Sequence, residues 1–157
     1  MKCAVFPGSF DPVTLGHLDL IERASKMFDK LIIGVLVNSD KKPLIPMDDR
    51  VELLRELTTS LKNVEVVSFE GLLADFVRET GAVAVVRGLR NTIDFEYEEP
   101  LAHANRLLNE NADTVFLMTA PEYSFVSSSA VKELIRYKAD ISPYVPQMVI
   151  NYIEGRN

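Results

Sequence analysis

Apolar positions along the chain alternate between two rhythms. Short, continuous, largely β-branched runs at 4–6, 31–37, 64–67, 82–86 and 114–118 read as strands buried on both faces, the pattern of a parallel sheet. Between them apolar residues recur at spacings of three and four. Leu18, Ile21, Ala24 and Phe28 predict a helix over about 17–28, and Val51, Leu54, Leu57 and Leu61 predict a second, with Asp48 or Asp49 as its N-cap. A third helix is expected over 72–79, stopped by Gly81 in the left-handed conformation, and a longer fourth over about 93–110. Beyond the last strand, Ser127 or Ser128 can cap a helix over 130–137. Pro143 and Pro146 then bracket a turn before a short helix at about 147–153, whose apolar face of Val149, Ile150 and Ile153 is expected to pack on its own domain.

This alternation predicts an α/β protein with a doubly wound, Rossmann-like, open parallel five-stranded sheet and helices on both faces. It is expected to be a single domain over residues 1–157, with a helical tail from about residue 129. In such a sheet the ligand crevice lies beyond the C-terminal strand ends. Pro7-Gly8-Ser9, Asn38-Ser39-Asp40-Lys41, Phe69-Glu70-Gly71, Arg87-Gly88-Leu89-Arg90 and the stretch 119–129 each follow a strand, so all five can share that crevice. With 17 basic against 23 acidic residues and a net charge of −6, broad nucleic-acid binding is not expected. Lys41, Lys42, Arg87 and Arg90 nonetheless fall at strand ends, where they suggest a local anion site. The longest apolar run is far short of a bilayer span and the N-terminus lacks a secretory apolar segment, so no membrane association and a cytoplasmic location are expected. The lone Cys3 excludes an intrachain disulfide and a cysteine metal cluster.

The strand-loop-helix junction Gly8-Ser9-Phe10-Asp11-Pro12-Val13-Thr14-Leu15-Gly16-His17 carries the most chemistry. Small residues keep the loop low, and the helix that follows aims free N–H groups and its positive dipole end into it, a favourable place for phosphate. Neither a Gly-x-Gly-x-x-Gly after the first strand nor a Gly-Lys-Ser/Thr is present, so this is not a dinucleotide fingerprint or a P-loop. Thr14 can cap the helix three residues before His17, which places His17 in the first turn as a donor to phosphate oxygen.

The Gly-Ser-Phe-Asp-Pro…Thr-x-Gly-His pattern resembles that of the nucleotidyltransferase superfamily, whose His-x-Gly-His type motif is shared with class I aminoacyl-tRNA synthetases. From about Ala4 to Pro146 the chain further resembles the bacterial phosphopantetheine adenylyltransferase family. The likeness includes Lys41-Lys42-Pro43, Arg87-Gly88-Leu89-Arg90, Asp94-Phe95-Glu96-Tyr97-Glu98 and Ser124-Phe125-Val126-Ser127-Ser128-Ser129. Ser9 stands where Thr is also common, Thr14 replaces the first His of the motif, and Tyr123 sits where some relatives carry Trp.

The resemblance implies attack of the 4′-phosphopantetheine phosphate on the α-phosphate of ATP, giving dephospho-CoA and pyrophosphate reversibly, with Mg2+ held mainly by ATP phosphates and no protein metal ligand. It implies His17 as transition-state stabiliser, with Lys41 and Arg90 beside it as catalytic charges. Ser9, Lys41, Leu73, Arg87 and Asn105 would hold phosphopantetheine. Ser9, Phe10, His17, Gly88, Leu89, Arg90, Glu98 and the run Tyr123, Ser124, Phe125, Val126, Ser127, Ser128 and Ser129 would hold ATP. A homohexamer and feedback by CoA are likewise implied. From the residues alone, Leu73 reads as a helix core leucine and Glu98 as part of an acidic first half of a helix. Sister transferases acting on nicotinamide mononucleotide or glycerol phosphate, and a nucleotide sensor without chemistry, are the alternatives. A class I synthetase is excluded by the short chain and the absence of a Lys-Met-Ser-Lys-Ser loop.

Overall fold

In the computed structural model, which describes residues 1–37 and 42–155, the expected strands and helices form in the expected order. They are β1 (Cys3–Gly8), α1 (Leu15–Ser25), β2 (Lys30–Leu36), α2 (Met47–Leu57), β3 (Val64–Phe69), α3 (Leu73–Thr80), β4 (Ala84–Leu89), α4 (Thr92–Leu108), β5 (Asp113–Met118), α5 (Ser128–Arg136) and α6 (Gln147–Glu154), with a single 3-10 turn at Pro121–Tyr123 before α5. The strands lie in the order β3-β2-β1-β4-β5 and every pairing is parallel.

Alternate residues of β1, β2, β3 and β4 feed two apolar layers, as the pleat requires, while the edge strand β5 has no buried residue and feeds only the first through Val115 and Leu117. Ala4 and Phe6 of β1 pack with Leu20, Ile21 and Ala24 of α1, Leu54 of α2, Val131 of α5 and Val149 of α6. Cys3 and Val5 face the other way, onto Val77, Leu73 and Phe76 of α3. The chain thus winds α1 and α2 over one face, then crosses to put α3 on the other. The tail closes on its own domain. Val149 is buried, the Leu15 N–H donates to the Tyr144 carbonyl at 2.9 Å, and the Tyr152 hydroxyl donates to Asp49.

Several boundaries differ from the sequence expectation. Arg87-Gly88-Leu89 are not loop but the last residues of β4, because the sheet ladder to Phe116, Leu117 and Met118 of β5 carries the strand three residues past Val86. Helix α1 starts at Leu15 and stops at Ser25, short of Phe28. Neither Asp48 nor Asp49 caps α2: Pro46 holds the cap position without a side-chain bond, and both aspartates sit in the first turn, where they still meet the positive dipole end. Of the two serines, Ser127 caps α5, accepting from the Ala130 N–H at 3.1 Å. Helix α4 is capped by Asn91, which accepts from the Asp94 N–H at 3.0 Å.

Gly34 in β2 marks the tightest packing against α3. A Cβ there would meet Phe76 at 2.8 Å and Phe69 at 3.1 Å, two rings already stacked with centroids 4.3 Å apart. Gly34→Val therefore cannot use its good strand propensity, and we expect it to lower unfolding stability by about 1–3 kcal/mol, measured by urea denaturation.

Candidate active site

Strands β1 and β4 pair at Ala4–Ala84 and Val5–Val85 and then part, whereas β1 stays paired with β2 up to Gly8. The gap between them opens into a cavity of about 290 Å3, lined by the ends of both strands, the start of α1 and the serines that begin α5.

The loop after β1 is folded from below. Phe10 is buried and holds a left-handed backbone (φ 48°), uncommon for a non-glycine residue. Its ring lies against the site where a Gly8 Cβ would project, 3.1 Å away, so Gly8 has to be small. The peptide between Asp11 and Pro12 is cis. The buried Asp11 carboxylate accepts from the Ile45 N–H at 2.8 Å and the Leu44 N–H at 3.0 Å, and pairs with Lys132 of α5 at 3.0 Å. Ser128 of α5 donates to the Pro12 carbonyl at 2.7 Å. The loop is therefore tied both to the segment leading into α2 and to α5.

Thr14 and His17 cap α1 reciprocally. The His17 N–H donates to Thr14 Oγ1 at 3.2 Å, and the Thr14 N–H donates to His17 Nδ1 at 3.1 Å. Because a backbone N–H can only donate, Nδ1 must be the unprotonated nitrogen, and the proton sits on Nε2. The ring packs edge-on against Phe10, with centroids 5.0 Å apart, and lines the cavity. Burial, and then the neighbouring Arg87 and Arg90, push its pKa down from 6.5 to about 4. At neutral pH His17 is an uncharged N–H donor.

Both cavity arginines are gripped by carboxylates of α4. Arg87 forks onto Glu98 through Nε at 2.8 Å and Nη2 at 2.5 Å, while Nη1 donates to the Pro7 carbonyl at 2.9 Å. Arg90 gives Asp94 its backbone N–H at 2.8 Å, Nε at 2.9 Å and Nη2 at 3.0 Å. Arg90 in turn holds the Asp94 pKa below the ordinary carboxylate value.

The structure brings Ser9, Phe10, His17, Arg87, Gly88, Arg90, Glu98, Val126, Ser127 and Ser128 onto this cavity. Leu73 and Asn105 line a second cavity of about 270 Å3, which shares Pro7, Gly8, Arg87 and Glu98 with the first and continues over Leu36, Phe69, Leu72 and Leu101. Leu73, half-buried at the start of α3, packs against the second apolar layer and also lines this cavity. Leu89 is buried behind the wall, and Tyr123, Ser124, Phe125 and Ser129 do not line the first cavity, although Tyr123 abuts Gly16. Lys41 lies outside the described residues. Sequence reasoning missed Asp94, whose signal was its place four residues after Arg90, and the bracing of Asp11, which carried no sequence signal because its partners are distant in the chain.

A cavity at the switch point of a parallel sheet, lined by a neutral histidine, two arginines and helix-starting serines, is suited to hold phosphate, the class of site that nucleotidyltransferases share. Residues 5–134 match the cytidylyltransferase-like family model. The chain is 52% identical over 157 residues to the phosphopantetheine adenylyltransferase of Clostridium botulinum (strain Eklund 17B / Type B), covering 100% of this chain and 99% of that one. To the phosphopantetheine adenylyltransferase of Shouchella clausii (strain KSM-K16) it is 53% identical over 154 residues, covering 98% and 97%. A solved structure from Vibrio parahaemolyticus assigned as a nicotinate-nucleotide adenylyltransferase shares the fold, with a TM-score of 0.67 at 20% identity over 94% of this chain and 89% of that one. The chain belongs to the phosphopantetheine adenylyltransferase family.

With its pKa lowered to about 4, His17 makes the folded state bind fewer protons than the unfolded chain between pH 4 and 6.5. Its contribution to stability is complete above pH 6.5 and is lost as pH falls through this window. We expect nitrogen-15 NMR to find His17 as the neutral Nε2–H tautomer at pH 7, titrating near 4; titration near 6.5 in the unliganded protein would contradict the geometry.

Proposed function

We infer that the chain transfers the adenylyl group of ATP to 4′-phosphopantetheine, forming dephospho-CoA and pyrophosphate. The observation that carries this reading is the pair of joined cavities. One is lined by His17, Arg90 and the α5 serines, the other by Leu73 and Asn105, and Arg87 stands between them. The first suits a triphosphate and the second an extended, amide-bearing pantetheine arm, so their junction is where the two phosphates meet. The phosphate oxygen of phosphopantetheine forms a bond to the α-phosphorus while the bond to the pyrophosphate oxygen breaks. With a second phosphate pKa of about 6 the attacking group is already an anion, so no general base is needed. Positioning and charge stabilisation carry the rate.

His17 Nε2–H donates to the α-phosphate oxygen on which charge grows. Its neutral form costs no desolvation, and the Thr14 bond holds it aimed before substrate arrives. Arg87, locked by Glu98 and the Pro7 carbonyl, meets the phosphopantetheine phosphate together with Lys41 and Ser9, and Arg90 with Ser127 and Ser128 meets the triphosphate. In this reading Glu98 and Asp94 act through the arginines they orient. Gly88, Leu89 and Phe10 contribute backbone groups. Among the described residues no group of three His, Cys, Asp or Glu can hold a metal ion, and the cavity carboxylates Asp94 and Glu98 are committed to arginines. In this reading Mg2+ enters as part of the Mg-ATP substrate, where it would neutralise phosphate charge.

No helix among the described residues is long and apolar enough to cross a membrane, and we place the reaction in the cytoplasm. The whole reaction falls to one domain. Coenzyme A shares the product's pantetheine arm and would compete for the same cavities as a feedback ligand. Assembly into a homo-oligomer, six copies by resemblance, is supported by α4, which has no buried residue and exposes Ile93, Tyr97, Leu107 and Leu108.

Purified protein with Mg-ATP and 4′-phosphopantetheine should release pyrophosphate and yield dephospho-CoA by mass. In His17→Ala we expect kcat to fall by about 10²–10³-fold with the ATP KM changed far less. Turnover with nicotinamide mononucleotide or with CTP instead would move the assignment to a sister transferase. Light scattering after gel filtration should find a multimer, and Leu107→Asp should shift it toward smaller species.

A further inference from the structure

Arg50 stands in the first turn of α2 and is 6% exposed, yet no carboxylate among the described residues forms an ion pair with it. Its Nη1 donates to the Ser9 carbonyl at 2.6 Å, and its Nε is buried without a hydrogen-bond partner. A buried guanidinium with no ion-pair partner among the described residues is unfavourable for stability. Such a group calls for an explanation.

The explanation lies in the peptide that Arg50 grips. The bond between Ser9 and Phe10 is trans, since the cis bond of this loop is the next but one, Asp11–Pro12. In a trans peptide the carbonyl and the following N–H point in opposite directions. With the Ser9 carbonyl drawn to Arg50, the Phe10 N–H must point away from α2. Phe10 lines the cavity, and its N–H donates to no protein acceptor among the described residues. Phe10 follows this peptide with a left-handed backbone, φ 48°. A charge-assisted bond to the carbonyl also polarises the peptide and strengthens its N–H as a donor.

Resting on the adenylyl-transfer reading, we infer that Arg50 is a positioning residue: it turns and polarises the Ser9–Phe10 peptide so that the Phe10 N–H is presented to a substrate phosphate. Arg50 does not line the cavity and acts only through this peptide. Its cost in stability is retained for function.

The test compares Arg50→Met, which removes the charge and the bond, with Arg50→Lys, which keeps the charge. In the wild type, inorganic pyrophosphate should move the Phe10 amide proton downfield in a nitrogen-15 correlation spectrum. Arg50→Met should lose that shift, lower kcat per folded molecule by at least about tenfold, and leave Tm unchanged or raised; Arg50→Lys should recover part of both signals. An unchanged Phe10 shift in Arg50→Met overturns the inference. So does an unchanged kcat, or a fall in kcat that follows a fall in Tm equally in both variants. Arg50→Gln serves in the same comparison if the methionine variant does not fold. The pyrophosphate experiment is independent of the acceptor, so a wild type inactive on phosphopantetheine would sink the proposed reaction without touching this result.

Discussion

The parting of β1 from β4 is the constraint on which the rest of the molecule depends. Past Val5 and Val85 the backbone ladder between these neighbouring strands ends. The backbone groups so released must find partners. Pro7 has no N–H to satisfy, and its carbonyl is taken by Arg87. The gap is thereby bounded by strand ends and helix N-termini that all favour an anion.

Charge within the cavity is arranged rather than accumulated. The chain carries a net charge of −6, and each cavity arginine is matched by a carboxylate of α4. The pairs keep the guanidinium planes oriented before a ligand arrives, which lowers the reorganisation needed when phosphates bind. Burial first, and then these arginines, lower the His17 pKa, so the ring is neutral at pH 7.

Helix α4 connects this arrangement to the exterior. It supplies Asp94 and Glu98 on its cavity side while none of its residues is buried in the single chain. A helix with so little packing of its own takes its stability from what it touches at either side, and a partner copy covering its apolar residues would fix the carboxylates that orient Arg87 and Arg90.

The alternation of strands and helices, the helix periodicity and the capped loop after β1 were legible in the sequence because each is written in neighbouring residues. Continuous β-branched runs read as strands, and all five form, although burial on both faces fails for β3 and for β5 at the two edges of the sheet; Gly81 adopts the left-handed cap, and Thr14 lies three residues before His17. The boundaries read less well where tertiary contacts overrode local signals: β4 runs on through Arg87-Gly88-Leu89 because β5 is there to pair with it, and Pro46 takes the place expected of Asp48 or Asp49. Leu73 reads locally as core, which its packing against the second apolar layer bears out, and the cavity it also lines is visible only in the tertiary structure. The proton position on His17, the arginine–carboxylate forks, the bracing of Asp11 by Lys132 and the grip of Arg50 on Ser9 belong to tertiary structure alone. Each joins groups whose meeting depends on how helices and strands pack, and no local periodicity records a hydrogen bond between residues 41 positions apart, as Ser9 and Arg50 are.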